Sequence, residues 1–124
     1  MFDHVKFGVS DYSTSKTFFI KALQPLGVTA AKEWPPNGIE IYDPEGDVSL
    51  CLYQTEEKPA PLHLAFVANS WQAVDAFYSA AMKAGGKDNG PPGLRPNYHE
   101  HYYAAFVIGP DGHNIEAVCH QPRA

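Results

Sequence analysis

The residues whose types and spacing could do chemistry are His4, His63 and Glu116. Each sits in a short apolar or alternating run, where a polar side chain needs a reason. A carboxylate inside Asn114–His120 is costly to bury unless a positive group compensates it. A metal ion would do so, and so would a lysine or arginine. Two imidazoles and one carboxylate, with coordination positions left open, form the facial triad of non-haem Fe(II) sites. Zn, Mn, Ni or Co could occupy the same set. The competing readings are a surface His4, a satisfied core His63, and a Glu116–Lys6 ion pair with no metal.

An internal repeat links the two histidines. His4-Val5-Lys6-Phe7 recurs 59 residues on as His63-Leu64-Ala65-Phe66. Phe18 and Phe77, Phe19 and Tyr78, Ala22 and Ala81, and Gly27 and Gly86 keep that offset of 59. A second echo, Asp43-Pro44-Glu45-Gly46 against Gly109-Pro110-Asp111-Gly112, has an offset of 66, so the second half carries 7 extra residues. The Pro/Gly-rich stretch Gly90–Tyr98 is the expected place for them.

Each half reads as strand, helix and three strands. The first strands are Phe2–Val9 and Leu62–Val67, by alternation. Asp11 or Ser13 caps the first helix, whose apolar stripe is Phe18, Phe19, Ala22 and Leu23 before Pro25 and Gly27 stop it. Asn69 or Ser70 caps the second, with Val74, Phe77, Tyr78, Ala81 and Met82 as its stripe and Gly85-Gly86 as its stop. The remaining strands are expected near Val28–Trp34, Gly38–Tyr42 and Val48–Tyr53, then near Lys87–Asn89, His101–Ile108 and Asn114–His120. Neither half can bury a helix and a sheet face alone, but paired halves can. The expectation is an α+β domain of two βαβββ modules, about 1–58 and about 59–124.

Alternation also sorts the faces. Val5, Phe7 and Val9 pack under the helix, so His4 and Lys6 point the other way. His63 does likewise opposite Leu62, Leu64 and Phe66. On the last strand, Glu116 shares a face with Asn114, Val118 and His120, opposite Ile115, Ala117 and Cys119. His113 has the helix-facing parity and reads as structural. His120, near the chain end, reads as solvated.

Composition narrows the function. The chain has 124 residues and a net charge of −5, which argues against nucleic acid as a partner because phosphate binding needs a basic surface. No stretch reaches the roughly 20 apolar residues that cross a bilayer. No signal peptide is read, and Cys51 and Cys119 in apolar runs read as buried thiols rather than a disulfide. The cytoplasm is the default compartment.

The repeat, the two strand-opening histidines and Pro110-Asp111-Gly112-His113-Asn114-Ile115-Glu116 resemble the vicinal-oxygen-chelate superfamily of glyoxalases, bleomycin-resistance proteins and extradiol dioxygenases. The resemblance spans nearly the whole chain. It implies curved sheets forming an open cleft, and a divalent metal on His4, His63 and Glu116. It implies a small-molecule substrate chelated through two neighbouring oxygens, with a lyase, isomerase or dioxygenase reaction. Non-catalytic drug sequestration is the alternative within the family. A homodimer is implied too, with the cleft built within one chain or by exchange between two. Under the 66-residue offset Glu116 corresponds to Leu50, which cannot bind a metal. Glyoxalase I enzymes have a carboxylate there, so the departure favours the three-ligand pattern. A slip of one residue would bring Ser49 or Cys51 to that position, and Cys51 could ligate. The segment from Arg95 to Tyr103 enters a strand beside the presumed cleft. Arg95 is a candidate for binding a substrate anion, and His99, His101 and Tyr103 for moving protons.

Overall fold

The computed structural model describes residues 1–123. The first half runs β1 (His4–Val9), α1 (Tyr12–Leu23), a 3-10 turn (Gln24–Leu26), β2 (Ala30–Trp34), β3 (Gly38–Tyr42) and β4 (Ser49–Gln54). The second runs β5 (His63–Val67), α2 (Trp71–Lys83), β6 (Lys87–Asp88), β7 (Gly93–Leu94), β8 (Tyr103–Ile108) and β9 (Asn114–Cys119). The fold is α+β with two open mixed sheets, ordered β1-β4-β3-β2 and β5-β9-β8-β6, as the repeat predicts. In both, the first strand runs parallel to the last and the rest are antiparallel.

The insertion changes the edge of the second sheet. The strand expected near Lys87–Asn89 has two residues, and β7 pairs separately with β8. Between them Gly90 takes φ 145, which glycine tolerates and other residues rarely adopt.

Local chemistry sets the helix ends. Asp11 accepts from the Thr14 N–H at 3.1 Å, and Ser70 accepts from the Ala73 N–H at 3.1 Å. Gly27, at φ 85, closes the turn after α1. The stripes Phe18, Phe19, Ala22 and Leu23 on α1, and Val74, Phe77 and Ala81 on α2, are fully buried. They join Phe7, Val9, Ile39, Ile41, Leu52, Val107, Ile115 and Ala117 in one continuous core.

That core explains how the halves join. The helices pack on each other, and both sheets turn their apolar faces inward onto them. Phe18 of α1 fills space kept open by Gly86 and Gly109 of the second half; a Cβ there would lie 3.1 Å and 2.8 Å from its ring. Asp111 accepts from the backbone N–H of Ser10 at 3.0 Å and from its hydroxyl, tying the β8–β9 turn to the end of β1. The opposite sheet faces, which carry His4 and His63, stay open. No helix among the described residues is long and apolar enough to cross a membrane.

Candidate functional site

Ladder register settles which side chains share a face. On the second sheet His63 lies opposite Asn114, Ala65 opposite Glu116, and Phe106 opposite Glu116. The open face thus carries His63, Asn114, Glu116 and Phe106 together. Glu116 is 1% exposed, yet both its carboxylate oxygens are used. His63 Nε2 lies 2.7 Å from Oε1, and the Tyr102 hydroxyl donates to Oε2. The imidazole of His63 is half exposed, so one side of this pair faces solvent. Burial, then the Glu116 contact, pushes the Tyr102 hydroxyl well above its usual pKa. It therefore stays a donor and fixes the carboxylate. Glu116 is paired with His63 and Tyr102, and no ion pair joins it to Lys6 among the described residues.

The 95–103 segment divides around this pair. Arg95 donates from Nη1 to the Gly93 carbonyl at 2.9 Å and from Nη2 to the Pro91 carbonyl at 2.8 Å. Its guanidinium also sits 5.3 Å over the Phe106 ring. Arg95 closes the insertion onto β8 and is already engaged. His99 lies edge-on to Tyr102 with ring centroids 5.3 Å apart, and its Nε2 is 2.7 Å from His120 Nδ1. His120 is thus exposed, as expected, yet partnered. His101 points to Glu100, at 3.5 Å.

Tyr103, a candidate for moving protons, is placed on the other face of the sheet. It pairs with Cys119, so it faces the helix side, away from Glu116. There it stacks on Trp71 at 4.1 Å and donates to Asp75 at 2.6 Å. Burial and Asp75 push its pKa up to about 12. Tyr102, one residue earlier and of opposite parity, is the tyrosine at the carboxylate. Sequence reasoning missed it because it lies just before β8, where register is not evident.

His113 is buried on the helix side, as its parity predicts. Its Nδ1 accepts from the Leu62 N–H at 2.9 Å, and its ring packs 4.9 Å from Phe7.

On the first sheet His4 lies opposite Ser49 and Lys6 opposite Cys51. Comparison with His63–Asn114 and Ala65–Glu116 makes Cys51, not Leu50, the equivalent of Glu116. The 66-residue offset is a residue too long here, and Leu50 lies in the core. Cys51 and Cys119 are buried free thiols, as their apolar surroundings suggest. His4 is half exposed, with Nδ1 at 2.7 Å from Asp3.

Within one chain the predicted ligands therefore separate. His63 and Glu116 meet, and His4 stands on the other sheet. No three His, Cys, Asp or Glu side chains converge among the described residues. The donor chemistry of the His63–Glu116 pair fits a divalent cation, since an imidazole nitrogen and a carboxylate oxygen meet at one half-open point. It brings together two of the three donors expected from the sequence, and His4 is not beside them. A hollow of about 560 Å³ at the start of α2 includes His120 but neither residue of that pair.

Known proteins agree with this architecture. The family described as Glyoxalase/Bleomycin resistance protein/Dioxygenase superfamily matches residues 1–117. A glyoxalase/bleomycin resistance protein from Albidiferax ferrireducens T118 is 30% identical over 96% of this chain and 98% of its own, with a TM-score of 0.83. A putative glyoxalase from Bacillus halodurans is 24% identical over 96% of this chain and 95% of its own, with a TM-score of 0.73. The oxidase ChaP-H2 is 21% identical over 100% of this chain and 95% of its own, with a TM-score of 0.68. No curated protein matches. With a match covering nearly every residue, the chain belongs to the Glyoxalase/Bleomycin resistance protein/Dioxygenase superfamily.

Proposed function

We propose that the protein is a homodimeric, divalent-metal-dependent lyase, isomerase or dioxygenase acting on a small vicinal-oxygen substrate. The metal would be held by His63 and Glu116 of one copy and by His4 of a second. The observation that carries this reading is the buried Glu116 carboxylate, held by Tyr102 and set 2.7 Å from a half-exposed imidazole. A carboxylate buried on an apolar strand needs compensation, and a cation at its open side supplies it.

The placement of His4 on one sheet and of His63 and Glu116 on the other supports exchange between copies. Val67, on the open face beside Glu116, is 70% exposed, and Tyr98 is 60% exposed. A second copy laid across that face would cover both and bring a strand carrying His4 toward His63.

A metal held by these residues would supply Lewis acidity to a substrate's paired oxygens. The chain's residues do the rest. Tyr102 holds Glu116 in one orientation, as an outer hydrogen bond to a ligand does. His99, at the rim beside Tyr102, moves a proton at its imidazole, and His120 orients that ring. Phe106 and the packed insertion keep water from the carboxylate's inner side. The two buried thiols fit a reducing compartment, and we assign the protein to the cytoplasm.

Metal analysis combined with sedimentation tests the reading. A dimer with about one metal per chain, lost in Glu116→Ala, is the expected result. A metal-free wild type after reconstitution with Fe(II), Mn(II), Zn(II), Ni(II) and Co(II) would sink it.

A further inference from the structure

One row crosses the open face of the first sheet at the far end from His4. Gly8 lies opposite Tyr53, Tyr53 opposite Gly38, and Gly38 opposite Trp34. Glycine and aromatic residues alternate, and the glycines make room. A Cβ on Gly38 would lie 2.1 Å from Trp34 Nε1, and one on Gly8 would lie 2.5 Å from Thr55 Cγ2 and 3.3 Å from Tyr53 Cζ. The indole therefore lies over Gly38 and the phenol beside Gly8, close against the sheet. Lys6 sits with Nζ 5.2 Å from the Trp34 ring and 5.6 Å from the Tyr53 ring. It forms no ion pair among the described residues. A cavity of about 330 Å³ opens here, lined by Trp34, Pro36, Asn37, Tyr53 and Gln54.

We infer that this is the recognition end of the cleft, and that the substrate is a planar aromatic or conjugated anion. The inference rests on the cleft reading above. Two rings against the sheet favour a flat partner, which stacks on them as the Lys6 ammonium turns from the ring faces to the partner's anionic group. A saturated vicinal-oxygen compound gains little from either ring. An ammonium held between the rings offers hydrogen-bond donors to an anionic group, and its charge is not already spent on a carboxylate. His4 lies two residues before Lys6 on the same face, roughly 7 Å along the strand. A single-ring substrate can thus place its anion at Lys6 and its paired oxygens toward the His4 end.

Calorimetry and tryptophan fluorescence on the metal-reconstituted full chain test this with four probes. They are 3,4-dihydroxybenzoate, benzoate, catechol and lactate, and metal content is measured on every sample. Both benzoates should quench fluorescence and bind at least about tenfold more tightly than lactate. Trp34→Leu should weaken both benzoates by about tenfold. Lys6→Gln should weaken both by about as much and leave catechol unchanged. Both variants should keep their metal and their circular dichroism. Benzoate lacks vicinal oxygens, so it reports on this pocket alone. Benzoate binding in a protein that takes up no metal would sustain the recognition site while overturning the proposed function. Benzoates that bind no better than lactate, or that bind both variants as they bind wild type, would overturn the inference.

Discussion

The two halves share one backbone plan and place opposite chemistry on it. Where the second half has Ala65, Glu116 and Phe106 across its open face, the first has Lys6, Cys51 and Glu40. The second half buries a single carboxylate beside an alanine and a phenylalanine, then satisfies it from above with His63 and Tyr102. The first half spreads its charges and flanks them with Trp34 and Tyr53. Duplication therefore does not imply two equal sites. In the proposals made above, one sheet holds the cation and the other meets the ligand's ring and charge.

The sharpest way to break that comparison is to separate the ligands between chains. Glu116→Ala and His4→Ala should each abolish metal uptake. Mixed and refolded together, they should recover about a quarter of wild-type occupancy, because half the dimers carry one intact site out of two. Recovery places His4 and Glu116 of a working site on different copies. No recovery, with dimers formed, would mean that the halves of one chain close on each other.

Next comes a contrast in stability. Asn114 and Ser49 are register equivalents, so His113 corresponds to Val48. His113 is fully buried against Phe7 and accepts from the Leu62 N–H, whereas Val48 is 50% exposed. His113→Ala leaves a cavity and an orphaned donor and should cost about 2–4 kcal/mol in urea unfolding. Val48→Ala should cost less than about 0.5 kcal/mol. Equal losses would mean that the core is shared more evenly between the halves than burial indicates.

A pH series sharpens the same contrast. Burial lowers the His113 pKa below its ordinary 6.5, with Asp111 opposing more weakly. Below that ordinary value the unfolded chain takes up a proton that the folded chain refuses. Folding stability therefore falls as pH drops from about 6.5 toward the folded-state value, and is full above it. His113→Gln should remove this part of the acid slope. A slope unchanged in that variant would assign the acid sensitivity to carboxylates instead.

The fold was legible because its signals are local. Apolar stripes at helical spacing, capping residues and a repeat at constant offset fixed both helices and the first strands. Legibility stopped where one residue decides a face. After its turn the first half has Asp47 and Val48 before β4, while the second has only His113 before β9. Aligning the turns therefore shifts the last strands by one, and a slip of one moves a side chain to the other face. That is why Leu50 stood where Cys51 belongs. The same parity separates Tyr102 from Tyr103. His63 and Glu116 were readable because repeat and polarity coincide, while their distance from His4 depends on how two sheets pack, which no local pattern encodes.

The smallest expected effects test whether the two helix starts are as alike as their caps suggest. Asp11 and Ser70 each accept one backbone N–H at 3.1 Å. Either one changed to alanine should cost about 1 kcal/mol. Asp11 adds a carboxylate at the positive end of α1, which Ser70 cannot do for α2. Asp11→Asn keeps an acceptor and removes the charge, and should cost about 0.3–1 kcal/mol at low ionic strength. That part should vanish in molar salt, where charges are screened within a few ångströms, about 3 Å. The Ser70→Ala cost should not change with salt. A salt-independent Asp11→Asn would show that both helices are started by geometry alone, with α1 gaining nothing from its charge.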